Sequence, residues 1–120
     1  IASFTGIARA DSGVVALELE HYPGMTEQNL NALADEAMAR WSLLGCVVIH
    51  RVGKIAVGEQ VVVVATAAGH RAEALDACAF LIDRLKTDAA FWKKEHRSDG
   101  SALWVEAKGT DDARAEKWRD

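Results

Sequence analysis

The stretch that decides the fold is VVVVATAAGHRAEALDACAFLIDRLK, residues 61–86. Its first part is a β-branched run that, with the residues just before it, reads as a strand over 58–67. Gly69 then punctuates the chain and the period changes. Leu75, Cys78, Leu81, Ile82 and Leu85 recur at helical spacing, and Glu73, Asp76, Asp83 and Arg84 take the wet side. A helix is therefore predicted from Gly69-His70-Arg71 to about Lys86. The apolar run 61–68 is far too short to span a bilayer, and no membrane segment is expected.

The same two periods recur on either side. ASFTGIAR (2–9) reads as a strand, ADSG (10–13) as a turn, and VVALELE (14–20) as a second strand. In the latter Val15, Leu17 and Leu19 alternate with Ala16, Glu18 and Glu20, and the two strands are predicted to pair as a hairpin. HYPGM (21–25) is a break. Thr26 can cap a helix running to about Leu44 with Leu30, Leu33, Ala37, Met38, Trp41 and Leu44 on its apolar side, and Gly45 can stop it. CVVIHRVG (46–53) reads as a buried-type strand, and ALWVEAK (102–108) as the last strand before a polar tail from Gly109. Two helices among five or more strands predict an α+β, mostly antiparallel sandwich. A length of 120 residues fits a single domain over 1–120.

Composition narrows the function. The formal net charge of −4 argues against a general nucleic-acid binder, so any anion site must be local. Cys46 and Cys78 match no metal or redox spacing, and His21, His50, His70 and His96 show no metal-ligand spacing; no metal is expected. The cysteine usage fits a reducing compartment, and with no leader pattern the expectation is cytoplasmic. Opening at Ile1, inside a strand, implies a longer natural N-terminus.

The basic residues carry the chemistry. LKTDAAFWKKEHR (85–97) gathers Lys86, Lys93, Lys94 and Arg97 around Phe91-Trp92. It is either a solvated helix end or a receiver for something planar and anionic. His70-Arg71 stands at a helix start, where free amides and a guanidinium favour an anion; the plainer reading is a turn with a surface dipeptide. Lys86 sits where the helix dipole favours a cation in any case. If the chain breaks near Asp88-Ala89-Ala90, Lys93 can approach Lys86, and two close ammonium groups weaken each other's hold on a proton. A lysine so tuned suits acid–base work. Phe91 and Trp92 either stack a flat ring or plug the core, whereas Cys78 and Trp41 read as core. Arg9 and Lys108, each at a strand end, are further anion contacts. Arg71 and Lys86 lie at opposite ends of one helix, roughly 22 Å apart, and side chains reaching about 6 Å cannot close that gap. They are two unrelated basic ends, or one site completed by a second copy of the chain in a twofold dimer.

Taken in order, FTGIAR (4–9), LEHYPGM (19–25), HRVGKIAVGE (50–59), the HR of GHRAEALDAC (69–78), LKTDAAFWKKE (85–95) and WVEAK (104–108) resemble the large catalytic subunit of molybdopterin synthase. The match runs from about Phe4 to Lys108. The resemblance implies an α/β hammerhead-type fold with an antiparallel sheet, two main helices and a small antiparallel subdomain. It implies sulfur transfer to cyclic pyranopterin monophosphate, forming the dithiolene of molybdopterin, with no resident cofactor. The donor would be the thiocarboxylated C-terminal Gly-Gly tail of a small ubiquitin-like subunit, in a heterotetramer built on a homodimer of the large chain. Lys86 and Lys93 match the family's two essential lysines. Arg9, His70, Arg71 and Lys108 match its anion pocket, with the His-Arg pair supplied by the other subunit, and Phe4, Lys94 and Glu95 match residues lining the site. Ala90 stands where the family usually has proline, Ile82 where methionine is frequent, Lys108 where arginine is usual, and the ADSG loop is short. The competing reading is a non-catalytic dimeric module holding an anionic metabolite or a partner's tail. Two retained lysines favour the enzyme, because binding alone would tolerate arginine at both positions.

Overall fold

The β-branched run becomes the central strand of a sheet in the computed structural model, which describes residues 1–9, 12–21, 24–88, 91–105 and 118. The elements in chain order are β1 (Ala2–Ile7), β2 (Val14–His21), α1 (Met25–Arg40), β3 (Gly45–His50), β4 (Gly53–Ala56), β5 (Gln60–Ala67), α2 (Arg71–Asp88), β6 (Phe91–Arg97) and β7 (Ala102–Val105). They form two antiparallel sheets, of order β1-β5-β3 and β4-β2-β6-β7. The α+β class with two helices and antiparallel sheets is as expected. Among the described residues no helix is long and apolar enough to cross a membrane.

Sheet pairing corrects the hairpin. β1 pairs with β5, and β2 pairs with β4 and β6, so the first two strands stand in different sheets. Local turn chemistry could not reveal this, because the partners of each strand, β5 for β1 and β4 and β6 for β2, come from distant parts of the chain. A bulge between Val14 and Ala16 also shifts the alternation of β2. Val14 turns inward with Leu17 and Leu19, while Val15 is exposed. The predicted strand 46–53 divides into β3 and β4, which belong to different sheets.

Both helices pack on one face of the first sheet. Leu33 and Ala37 of α1 and Ala74, Ala77, Cys78, Phe80, Leu81 and Leu85 of α2 meet Ala2, Val62 and Val64 in one core cluster. Thr66, 1% exposed, is accommodated there because its Oγ1 donates to the Ala74 carbonyl at 2.6 Å. Cys78 and Trp41 are core residues as expected. Leu75 is exposed at 59% instead of lying on the stripe, and Asp83, assigned to water, is buried. α1 begins after Gly24, whose φ of 86° favours glycine, and Gly24 takes the cap position in place of Thr26, which is buried in the first turn. The helix stops at Trp41, where Ser42 turns left-handed at φ 50°, before Leu44 and the predicted stop at Gly45. Gly6 is needed for close approach: a Cβ there would lie 2.6 Å from Val62 Cγ1.

The second sheet has its own core of Val14, Leu17, Leu19 and Ile55, joined by Ala8 and touching Val61. Among the described residues no strand of this sheet packs broadly on the helices or on the first sheet. The halves meet at a narrow junction where Ala8 N donates to Glu59 O (2.8 Å), Gly58 N to Ala8 O (2.7 Å) and Val57 N to Val15 O (3.1 Å).

Candidate active site

The strand–helix unit fixes which basic groups can meet. β5 has eight residues and α2 eighteen, so each is roughly 27 Å long and the helix returns along the strand's full length. Arg71 and Lys86 are thereby set at opposite ends of the sheet. His70 and Arg71 are exposed at the end where β5 finishes. Lys86, also exposed, lies at the end where β5 begins.

That second end is the basic one. Arg9 follows Ala8, which is bound to the β4–β5 turn. His50 closes β3 opposite Val62. The next residue, Arg51, is held by its amide to Val61 O at 2.9 Å and by its guanidinium to Gln60 O at 3.1 Å, with Glu59 at 3.7 Å. A carbonyl oxygen can only accept, so the 2.8 Å contact from His50 Nδ1 to Arg51 O places the proton on Nδ1. Burial pushes the imidazole below its ordinary proton affinity, against that hydrogen bond, and the nearby Lys86 ammonium lowers it further. His50 is therefore a neutral ring beside Lys86 at neutral pH.

β6 delivers the second lysine. Alternation along this strand puts Lys93 and Glu95 on one face and Lys94 and His96 on the other. Lys93 pairs with Leu19 and Glu95 with Leu17, so they share the apolar face that meets Ala8 and Val61. They thus share the face of the second sheet on which Ala8, the residue before Arg9, is packed. Lys94 lies on the opposite face with its Nζ 5.0 Å from the Trp104 ring, and His96 Nε2 meets Glu18 Oε1 at 2.7 Å. The expected break after α2 is present: the helix ends at Asp88 and β6 starts at Phe91.

Of the residues singled out from the sequence, Arg9 follows Ala8 at the contact between the sheets, Lys86 lies near His50, and Lys93 and Glu95 share the β6 face whose apolar cluster includes Ala8. Phe4 stands mid-strand opposite Val64, half-buried on the helix-bearing face. Lys94 points elsewhere, and His70 and Arg71 are a helix length away. Lys108, Ala90 and the side chains of Phe91 and Trp92 lie outside the described residues. His50 and Arg51 were not singled out as site residues. Their only signal was membership of the stretch HRVGKIAVGE, since the proximity of His50 to Lys86 needs the β3–β5 register. Burial raises the thiol of Cys46, and that of Cys78 likewise with Cys46 adding to it, so neither is a thiolate at neutral pH.

The first sheet also carries an unfinished surface. Its face away from the helices presents Val47 and Ile49 of β3 beside Ala65 and Val63 of β5. Val47 is 48% and Ile49 58% exposed. The sequence reads β3 as a buried-type strand, yet the described residues cover only one of its faces. Uncovered antiparallel faces are ordinarily polar.

The family model described as "MoaE protein" matches residues 1–88. A Mesorhizobium japonicum protein named molybdopterin synthase catalytic subunit is 53% identical over 121 residues, covering 99% of this chain and 76% of its own. The solved structure of the molybdopterin biosynthesis MoaE protein from Burkholderia ambifaria superposes with a TM-score of 0.81 at 49% identity, over 98% of this chain and 78% of that one. A Helicobacter pylori structure, described as a complex of subunits 1 and 2 of molybdopterin-converting factor, shares the fold with a TM-score of 0.73 at 19% identity, over 89% and 71%. By sequence over nearly its whole length, and by fold, the chain belongs to the MoaE family of molybdopterin synthase catalytic subunits.

Proposed function

We propose that this chain transfers sulfur from the thiocarboxylated tail of a small ubiquitin-like subunit to cyclic pyranopterin monophosphate, building the dithiolene of molybdopterin. The observation that carries this reading is that Lys86, in the last turn of α2, lies near His50, at the end of the first sheet where β5 begins, while Lys93 lies on the β6 face whose apolar cluster includes Ala8, the residue before Arg9. Arg9 offers a guanidinium to the cyclic phosphate. Lys86 transfers a proton or stabilises charge as the pterin reacts, and Lys93 holds the thiocarboxylate or the intermediate derived from it. The nucleophilic sulfur comes from the partner, which suits a chain whose own thiols are protonated. The Helicobacter pylori complex of two converting-factor subunits, built on the same fold, supports a small partner subunit.

His70 and Arg71 reach the site only from a second copy. The bare apolar face of Val47, Ile49, Val63 and Ala65 supports this, because it is uncharged and self-complementary. Two such faces related by a twofold axis set the His70-Arg71 end of one protomer against the Lys86 end of its mate. Lys108 completes the anion pocket and Glu95 lines the approach to it, whereas Lys94, over Trp104 on the other face of β6, and Phe4, in the middle of β1, do not face that junction in the single chain.

The test is reconstitution with thiocarboxylated small subunit and cyclic pyranopterin monophosphate, following dithiolene formation. The wild-type chain should give product and Lys86→Ala a loss of roughly 100-fold or more, in the range of a lost acid–base group. Undiminished product from Lys86→Ala would remove the assignment.

A further inference from the structure

The face of β3 that packs under the helices ends on a polar ring. Alternation sets Cys46, Val48 and His50 on that face, opposite Thr66, Val64 and Val62 of β5, while Val47 and Ile49 are exposed on the other. Cys46 and Val48 pack against the core cluster as apolar fillers. His50 comes last, at the end of the first sheet where α2 finishes. Leu85 belongs to the same cluster as Val62, and Lys86 is the next residue.

Packing alone would be served by an apolar side chain here. The imidazole instead donates through Nδ1 to the Arg51 carbonyl at 2.8 Å, which fixes its tautomer and orients the ring. Burial keeps a second proton off the ring, and Lys86 opposes that proton as well. Lys86 of α2 is a charged group acting on the ring, and Arg51 follows it in the chain. Val62, opposite on β5, and Leu30, Leu33, Ala37 and Met38, the α1 members of the cluster, carry no charge. A lysine is a point charge on a flexible stem, and it acts at one place only if its neighbours confine it. An uncharged ring can stand against the ammonium without repelling it, whereas a protonated ring cannot.

We propose that His50 is a positioning residue for Lys86: an uncharged imidazole, tied by Nδ1 to the Arg51 carbonyl, that forms a fixed wall beside the ammonium and confines it at the end of α2. The consequence for the reaction rests on the sulfur-transfer reading; the confinement of Lys86 does not.

The test is nuclear magnetic resonance of the full chain, isotope-labelled at the nitrogens of histidine and lysine, together with dithiolene formation. The His50 ring should appear as the Nδ1–H tautomer. Its titration midpoint should rise in Lys86→Met, a change at an exposed position that the fold tolerates. In His50→Asn, which keeps a donor for the Arg51 carbonyl but removes the wall, the order parameter of the Lys86 ammonium should fall. It should fall in the wild-type chain too, once acid has protonated His50. An Nε2–H tautomer, a midpoint unmoved by Lys86→Met, or a Lys86 ammonium equally ordered before and after His50 titrates would each overturn the proposal. Dithiolene formation at saturating substrate should drop on the order of tenfold to a hundredfold in His50→Asn, with KM little changed, since small misplacements cost this much. A loss no greater than the fraction of unfolded chain would overturn the role in the reaction. If the wild-type chain forms no dithiolene, the sulfur-transfer reading falls, and the Lys86 order parameters still decide what His50 does.

Discussion

Two inactive variants should restore each other if the site is shared. Arg71 and Lys86 are the first residue and a last-turn residue of one α-helix. The axial rise places them roughly 22 Å apart, and two extended side chains of about 6 Å leave about 10 Å uncovered. A single chain therefore cannot present both to one substrate, whereas a twofold pair can. Consider Lys86→Ala mixed with Arg71→Ala in equal amounts, with subunits allowed to exchange. In a mixed dimer one site combines both defects, and the other combines an intact Lys86 with an intact Arg71 from its mate. With about half the dimers mixed and one working site in each, about one quarter of wild-type activity should return. The assay is dithiolene formation after mixing, against each variant alone. Activity that stays at the level of the separate variants, while fluorescence exchange shows that dimers have mixed, would refute the shared site and the helix-length reasoning under it.

Ile49→Asp should convert the proposed dimer to monomer in sedimentation velocity without unfolding it, because Ile49 is already 58% exposed in the single chain. Gly6→Ala should lower stability by about 1–3 kcal/mol in urea denaturation, since the new methyl would stand 2.6 Å from Val62 Cγ1 and a β-sheet neighbour must shift. Burial lowers the His50 proton affinity in the fold, with Lys86 assisting, whereas the unfolded imidazole titrates near 6.5. The unfolded chain thus binds the extra proton more readily, so the His50 contribution is present above that pH and is lost as pH falls below it. In His50→Gln the decline of the urea midpoint between about pH 6.5 and pH 5 should flatten; Lys86 of α2 is a charged group acting on this ring, and Arg51 follows it in the chain.

Local pattern was enough for both helices and for β1, β2, β3, β5 and β7, but not for β4 or for β6, whose charged FWKKEHR stretch gave no strand signal. The β-branched run and the helical stripe after Gly69 each carry their own period, and the length of α2 follows from it. So does the distance between Arg71 and Lys86, which is why a two-copy site could be argued before any contact was known. Resemblance supplied the lysine pair and the anion residues. Pairing lay beyond local pattern, because a strand's partners are set by which apolar faces match across the whole chain. That is why β1 and β2 part into different sheets, why a bulge exchanges Val15 for Val14, and why His50 comes to stand beside Lys86. Asp83 shows the limit most plainly: a carboxylate on a helix reads as solvated until an indole from thirty-five residues away arrives to bond it. Propensity and spacing are properties of a short segment, whereas register, burial and the docking of Trp118 are properties of surfaces that exist only once the chain has folded.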